Sequence, residues 1–130
     1  SMGIGGKDRN LGCIPFGHSY GLGNLVVPLL AQGTAVVCGV VSLPHALADS
    51  VARWKPTVFP AVPALLRALA EADVSARQLR SLRTVISAGA PLAPEIAQVF
   101  RRKFALGVHN FYGSSETGGI TYDRSGRAAP

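Results

Sequence analysis

The chain has 130 residues, of which 48% are hydrophobic and 15% are charged, and its formal net charge at pH 7 is +6. This composition supplies enough apolar material for one compact domain and excludes a disordered chain. The sequence contains no apolar run of membrane-spanning length and no signal-peptide pattern, which favours a cytoplasmic protein. Cys13 and Cys38 lie in apolar runs and are predicted to be buried free thiols.

The strand candidates are short, nearly continuous apolar runs, which are typical of strands covered on both faces. In chain order they are residues 11–16, 35–38, 57–61, 84–87 and 108–112. Residues 11–122 are predicted to form the α/β subdomain. Residues 1–10 are expected to be a cloned start and linker, and residues 123–130 a mobile tail.

The segments between the strand candidates have helical apolar spacing. Residues 22–31 are apolar all round and are predicted to form a buried helix, which Pro28 kinks or delays. Three further apolar stripes follow: Leu43, Leu47, Ala48, Val51 and Trp54 after the N-cap candidate Ser42; Val62, Leu65, Leu66 and Leu69; and Ile96, Val99, Phe100 and Phe104 after Pro94. The alternation predicts an α/β fold, with an open, mainly parallel sheet of about five strands flanked by helices.

Three motifs follow predicted strands, where open α/β sheets bind their ligands. They are PFGHSYGLG at residues 15–23, SAGAP at 87–91 and FYGSSETGG at 111–119. His18 and Tyr20 stand among small residues in the first motif. In the second, Gly89 and Ala90 would let a planar ring approach the backbone, although an ordinary tight turn has the same composition.

The third motif combines several functional groups. Tyr112 offers an aromatic face, and Gly113 allows a sharp turn. Ser114 and Ser115 offer hydroxyl donors that suit phosphate oxygens, and Glu116 offers a carboxylate for Mg²⁺. Together these groups indicate a nucleotide bound with Mg²⁺; the alternative is a polar turn with the carboxylate in water.

The three motifs, in this order, resemble those of the adenylate-forming enzymes: acyl-CoA synthetases, nonribosomal-peptide adenylation domains and luciferases. Residues 112–116 resemble the family motif Y-G-x-T-E, with Ser115 in the Thr place. Residues 88–91 resemble G-G-A-P, and residues 15–21 resemble P-x-x-H-x-x-G. The resemblance implies an internal fragment, one subdomain of the N-terminal domain of such an enzyme.

The resemblance also implies an activity. ATP would activate a carboxylic acid, fatty or aromatic, as acyl-AMP, and the acyl group would pass to CoA or a carrier-protein pantetheine. Ser115, Glu116 and His18 would be catalytic, with Glu116 holding Mg²⁺. The implied nucleotide-binding residues are Gly89, Ala90, Pro91, Asn110, Phe111, Tyr112, Gly113 and Ser114, and the implied acyl-pocket residues are His18, Tyr20, Gly21 and Ala88.

The sequence departs from the family pattern in what it lacks. The phosphate loop with its lysine, the ribose-binding aspartate and the mobile C-terminal domain are not in these 130 residues. We therefore expect the chain alone to be inactive and to depend on the other parts of a parent enzyme.

Two alternatives belong to other functional classes. One is a non-catalytic α/β nucleotide-binding or interaction module. The other is a nucleic-acid binder that uses Arg77, Arg80, Arg83 and the basic run at residues 101–103. The second is disfavoured because no aromatic-interleaved groove or helix-turn-helix pattern accompanies the charge.

Overall fold

The computed structural model describes residues 2–39 and 43–127. In that part of the chain, one six-stranded sheet has the order β2-β1-β3-β4-β5-β6. Its strands are β1 (Arg9–Leu11), β2 (Ala35–Val37), β3 (Val58–Ala61), β4 (Thr84–Ser87), β5 (Val108–Ser114) and β6 (Gly118–Tyr122). The pairings among β1 to β5 are parallel, whereas β6 runs antiparallel to β5. The predicted α/β fold with a mainly parallel sheet is confirmed.

The helices are α1 (Ser19–Gly21), α2 (Val27–Gln32), α3 (Pro44–Trp54), α4 (Pro63–Glu71) and α5 (Pro94–Phe104). A π-helical turn, Leu22–Val26, joins α1 to α2. Helices α3, α4 and α5 each begin with proline, whose fixed φ angle and missing N–H suit the first turn. The predicted N-cap Ser42 lies outside the described residues.

The main core lies between the sheet and the helices α3, α4 and α5. The apolar stripes predict its centre correctly, since Leu47, Val51, Leu66, Leu69, Phe100 and Phe104 are all buried there. Leu43 and Trp54 were assigned to the same stripes but are 64% and 50% exposed. They flank or end α3, beyond the part of the helix that packs on the sheet.

The prediction of a buried helix over residues 22–31 is wrong. Leu25 is fully buried, but Leu22, Val27 and Leu29 are exposed, and Leu30 is 80% exposed. Only one side of this helical segment packs, because Leu25 contributes to a small second cluster with Ile14, Tyr20 and Ala88. An apolar sequence shows no preferred face, so its pattern could not distinguish one-sided packing from complete burial.

Pro28 does not delay the start of this helix, which contradicts one of the two effects predicted for it. The chain is helical from residue 19 to residue 32, and the irregularity is the π-helical turn that precedes Pro28. Pro28 has no N–H to donate to the carbonyl of Asn24, four residues earlier. The side-chain amide of Asn10, on β1, donates to that carbonyl at 2.9 Å instead. A strand side chain therefore donates to a carbonyl whose usual donor, the N–H four residues later, is absent.

The first strand lies earlier than predicted, at Arg9–Leu11, and is held by a buried carboxylate just before it. Asp8 accepts hydrogen bonds from Nε of Arg83 at 2.8 Å and from Oγ1 of Thr57 at 2.7 Å. The Arg83 guanidinium holds the pKa of Asp8 well below its usual range, with the Thr57 hydroxyl acting in the same direction. These contacts connect the start of the chain to the residues that directly precede β3 and β4.

The cysteines are free, as predicted, but only one of them is shielded. Cys13 is half-buried, and its thiol donates to the carbonyl of Pro60 at 2.8 Å. Cys38 is exposed, which corrects its predicted burial. It follows β2, which is an edge strand of the sheet that the described residues form.

Residues 123–127 form hydrogen bonds with β5 and α5. The amide of Asp123 donates to the carbonyl of Asn110 at 2.8 Å, and the guanidinium of Arg101 donates to the carbonyl of Gly126 at 2.9 Å. No helix in the described ranges combines the length and apolar character needed to cross a membrane.

Candidate functional site

A cleft of about 650 Å³ opens at the carboxyl ends of β4 and β5, and we call it the strand-end cleft. Four segments form its walls: the start of the chain at residues 2–4, the helical segment at residues 18–32, the turn after β4, and the β5–β6 hairpin. It thus brings together residues from all three sequence motifs. The predicted site residues that line it are His18, Tyr20, Ala88, Gly89, Phe111, Gly113, Ser114 and Ser115.

The other predicted site residues are close in sequence but outside the lining. They are Gly21, Ala90, Pro91, Asn110, Tyr112 and Glu116. Conversely, the lining includes residues that were not among the predicted site residues: Met2, Ile4, Ser19, Gly23, Asn24, Pro28, Gln32, Gly118 and Gly119. Most of these come from the helix and from β6, whose positions depend on tertiary packing.

Tyr20 forms an inner wall of the cleft. Its side chain is buried, and its hydroxyl lies 3.3 Å from the carbonyl of Ala61 and 3.4 Å from that of Ile86. Burial raises the pKa of this hydroxyl. The ring stacks on Phe111 with a centroid distance of 6.4 Å and an interplanar angle of 13°. Tyr20 therefore joins the helix to the ends of β3, β4 and β5.

The alternation of side chains along β5 decides which residues face the cleft. Phe111 and Gly113 line it, whereas the intervening Tyr112 does not and is 66% exposed. Successive residues of a regular strand point to opposite faces, which places the Phe111 and Tyr112 side chains on different sides. The register shifts between Tyr112 and Gly113, and beyond that irregularity the consecutive residues Gly113, Ser114 and Ser115 all line the cleft. Of the two adjacent aromatic residues on β5, Phe111 is therefore the one that lines the cleft.

The hydroxyl-rich run is the turn of the β5–β6 hairpin. Ser114 and Thr117 face each other across it, with 2.9 Å between their hydroxyl oxygens, and the amide of Thr117 donates to Oγ of Ser114 at 3.2 Å. The strand β6 that closes this hairpin was missed by the sequence analysis. Its five residues include two glycines, which are depleted in strands.

The glycines around this run have a steric reason. A Cβ on Gly113 would lie 2.3 Å from the carbonyl oxygen of Gly118, and one on Gly119 would lie 2.4 Å from Cζ of Phe111. Both distances are shorter than non-bonded atoms tolerate. The hairpin backbone therefore requires glycine at position 113 even without a ligand, whereas a Cβ at position 119 would require the Phe111 ring to move.

Glu116 lies at the exposed tip of the hairpin. A hydrogen bond with Ser114 lowers the pKa of its carboxyl. Within residues 2–39 and 43–127, there is no group of three or more His, Cys, Asp or Glu side chains suited to a metal ion. One carboxylate fits Mg²⁺ only where ligand phosphates supply further oxygens, which is the usual arrangement for a nucleotide-bound Mg²⁺.

Two hydroxyls connect the helix to the hairpin. Oγ of Ser19 lies 3.0 Å from Oγ of Ser115, although the residues are 96 positions apart in sequence. His18, immediately before Ser19, accepts a hydrogen bond at Nδ1 from the amide of Tyr20 at 3.2 Å. His18 is therefore the N-cap of α1 as well as a lining residue, a role that its sequence context did not reveal.

The turn after β4 forms the remaining wall. Ala88 is buried, and its amide donates to the carbonyl of Ala61 at 3.1 Å. Gly89 has a φ angle of +88°, a conformation that other residues rarely adopt. Ser87 is 2% exposed, and its Oγ has no hydrogen-bond partner among the residues that the structure describes.

These features define a class of protein: an open α/β domain whose ligand cleft lies at the carboxyl ends of parallel strands. The chain belongs to the AMP-binding enzyme family, whose model matches residues 1–129. The resemblance to adenylate-forming enzymes is thereby confirmed.

Named relatives agree with this assignment. Residues of this chain are 29% identical over 119 positions to the peroxisomal OPC-8:0-CoA ligase 1 of Arabidopsis thaliana, covering 88% of this chain and 22% of that protein. Identity to 4-coumarate–CoA ligase 1 of Oryza sativa subsp. japonica is 31% over 122 residues, covering 92% and 22% respectively. The chain therefore spans about a fifth of the length of these relatives.

A solved structure shows the same fold. The anthranilate CoA ligase AuaEII, in complex with anthranoyl-AMP, superimposes with a TM-score of 0.77 at 26% identity. The match covers 88% of this chain and 23% of that structure. These values place the sheet and helices described above inside a larger ligase domain in that protein.

Proposed function

We propose that this chain is the central part of an ATP-dependent acid–thiol ligase. The observation that carries the proposal is the meeting of three family motifs around one cleft, in a chain that belongs to the AMP-binding enzyme family. The relatives named above are CoA ligases, which supports an acyl- or aryl-CoA ligase as the parent protein.

The proposed reaction has two steps. The carboxylate of a fatty or aromatic acid attacks the α-phosphate of ATP, forming acyl-AMP and releasing pyrophosphate. A thiol, from CoA or a carrier-protein pantetheine, then attacks the acyl carbon and releases AMP. The main task of the site is to hold two anions together, and hydroxyl donors and position contribute much of the rate.

The cleft residues suit this task. Ser114 and Ser115 place hydroxyls at the edge of the cleft, where they would donate to phosphate oxygens. Glu116 would hold Mg²⁺, which offsets the charge of the phosphates when it is bound. Gly89, with the adjoining Ala90 and Pro91, would lie against one side of the base.

The remaining predicted residues take the flanking roles. Phe111 and Tyr112, with Asn110 and Gly113, would border the base, and they lie on alternate faces of β5. His18, Tyr20, Gly21 and Ala88 would form the acyl pocket. Tyr20 and Ala88 belong to the small apolar cluster beneath the cleft, which supports an apolar environment for the acyl group.

Calorimetric titration with a non-hydrolysable acyl-adenylate analogue tests the proposal. We expect saturable binding that strengthens with Mg²⁺, weakens in Ser115→Ala and is lost in Ala90→Trp. Glu116→Gln should abolish the Mg²⁺ effect, and Glu95→Gln on the exposed side of α5 is the matched control. Binding that ignores both Mg²⁺ and Glu116→Gln would instead support a non-catalytic nucleotide-binding module.

These 130 residues by themselves are proposed to be inactive, since they span about a fifth of the length of the CoA ligases that they match. ATP–pyrophosphate exchange by the purified chain would contradict this. A cytoplasmic location stays a prediction, because a relative named above is peroxisomal.

A further inference from the structure

A second cleft lies at the amino ends of the parallel strands, where β3 and β4 begin. Its volume is about 480 Å³, and it is formed by the end of α3 and the turn-rich segment before β4. Lys55 stands three residues before β3, and Ser81 stands three residues before β4. We call this second cleft the basic cleft. Parallel strands begin on one side of the sheet and end on the other, so the basic cleft is separate from the strand-end cleft.

Three cations surround the basic cleft. Lys55, Arg77 and Arg80 line it and are exposed. None of the three side chains has a hydrogen-bond or ion-pair partner within the described ranges, whereas the Arg83 side chain is paired with Asp8. Three like charges around one concave surface repel each other, and an anion at their centre would relieve that repulsion.

An unsatisfied hydroxyl lies in the same cleft. Ser81 lines it, and its Oγ is buried without a hydrogen-bond partner among the described residues. A buried hydroxyl that makes no hydrogen bond costs free energy, so such groups are rare in folded proteins. A ligand oxygen in the cleft could accept from it.

The neighbouring acidic group is already engaged. Asp49 accepts a hydrogen bond at 3.0 Å from the side-chain amide of Gln78, another residue of the basic cleft. The side-chain oxygen of Gln78 in turn accepts from the amide of Ser75 at 3.0 Å. The lining therefore carries three cations, and the nearby carboxylate is held beside Gln78.

We propose that the basic cleft binds a phosphate monoester through Lys55, Arg77, Arg80 and the Ser81 hydroxyl. Guanidinium groups and hydroxyls together match the acceptor oxygens of a phosphate dianion. The cleft is larger than a phosphate group needs, and its volume lies in the range of small-molecule sites, so an organic part fits beside the phosphate. This proposal stands independently of the ligase assignment.

The test is an NMR titration of the ¹⁵N-labelled chain at constant ionic strength, with inorganic phosphate in one series and glycerol 3-phosphate in another. We expect saturable shifts at Lys55 and residues 75–81 with the ester, and weaker shifts or none with inorganic phosphate. Arg77→Gln and Arg80→Gln should each raise the dissociation constant about tenfold. Arg67→Gln, which removes an exposed charge from α4, should change it less than about twofold.

Ser81→Ala separates a binding role from a structural one. It should weaken ester binding about threefold while leaving the free energy of unfolding equal or higher, because an unpartnered hydroxyl is removed. Absence of saturable shifts, or equal weakening by Arg67→Gln, would overturn the proposal, since either result indicates only diffuse attraction to a basic protein.

Discussion

Oγ of Ser19 and Oγ of Ser115 lie 3.0 Å apart and join the helix at the cleft to the tip of the β5–β6 hairpin. The β5–β6 hairpin lies at one end of the sheet order, and most of its residues are exposed. This hydroxyl pair is therefore a direct link between the two segments whose polar residues are proposed to meet the ligand.

Breaking this link should loosen the hairpin without unfolding the domain. We expect Ser19→Ala to speed amide hydrogen exchange at residues 114–118 several-fold, while exchange in β3 and β4 stays unchanged. A double-mutant cycle with Ser115→Ala should give a coupling of about 0.5–1 kcal/mol, as for an exposed neutral hydrogen bond. Additive effects of the two substitutions would show that the hydroxyls do not interact in solution.

Alanine at Gly113 should be strongly unfavourable. The added Cβ would approach the carbonyl oxygen of Gly118 to 2.3 Å, and a backbone atom cannot rotate away as a side chain can. We expect a loss of about 1–3 kcal/mol in the free energy of unfolding, measured by urea denaturation. Gly17→Ala is the matched control, because a Cβ there meets no atom within 4 Å. Equal stability of the two variants would contradict the hairpin geometry.

The ion pair between Asp8 and Arg83 should make stability depend on pH in the acid range. The pKa of Asp8 is lower in the folded state than in the unfolded state, where it is about 3.9. Its stabilisation is therefore fully present above the unfolded pKa and is lost as the pH falls towards the folded pKa.

Asp8→Asn measures this contribution. We expect a loss of about 1–2 kcal/mol at pH 7, kept modest because the Arg83 side chain is 44% exposed and partly screened by water. The difference in the free energy of unfolding between Asp8→Asn and the wild-type chain should decrease below about pH 4. Asp73→Asn, at an exposed position, should show no such difference. If the difference in the free energy of unfolding between Asp8→Asn and the wild-type chain stays constant from pH 7 to pH 3, the ion pair is not its cause.

The two thiols should differ in reactivity. Burial raises the pKa of Cys13 to about 12, so almost none of it is thiolate at neutral pH, whereas Cys38 is exposed. We expect a disulfide reagent at pH 8 to modify one thiol rapidly in the folded chain and both after denaturation. Cys38→Ser should remove the rapid phase, and its persistence in that variant would mean that Cys13 is accessible.

The fold could be predicted where residue pattern and burial agree. The runs at residues 57–61 and 84–87 became β3 and β4, since a strand covered on both faces is apolar throughout. The first strand was placed too late because Asp8, Arg9 and Asn10 are polar. Asp8 and Asn10 are nevertheless buried, and their partners Arg83, Thr57 and Asn24 are distant in sequence.

The sequence indicated which three segments contribute to the candidate site, but it did not indicate how they meet in the cleft. Motif spacing indicated residues 15–23, 87–91 and 111–119, and all three segments contribute to the strand-end cleft. The sequence could not show that Phe111 rather than Tyr112 faces the cleft, because that depends on the register of β5. Nor could it show that Ser19 meets Ser115, a contact that forms only when the hairpin folds back towards the helix.

The hydrogen bond from Asn10 to the carbonyl of Asn24 has an evolutionary consequence. Pro28 leaves that carbonyl without its backbone donor, and the amide at position 10 replaces it. The residues at positions 10 and 28 are therefore linked through one acceptor. Across the family, a lineage that loses the proline regains the backbone donor and is free to lose the amide, so the two positions should change together.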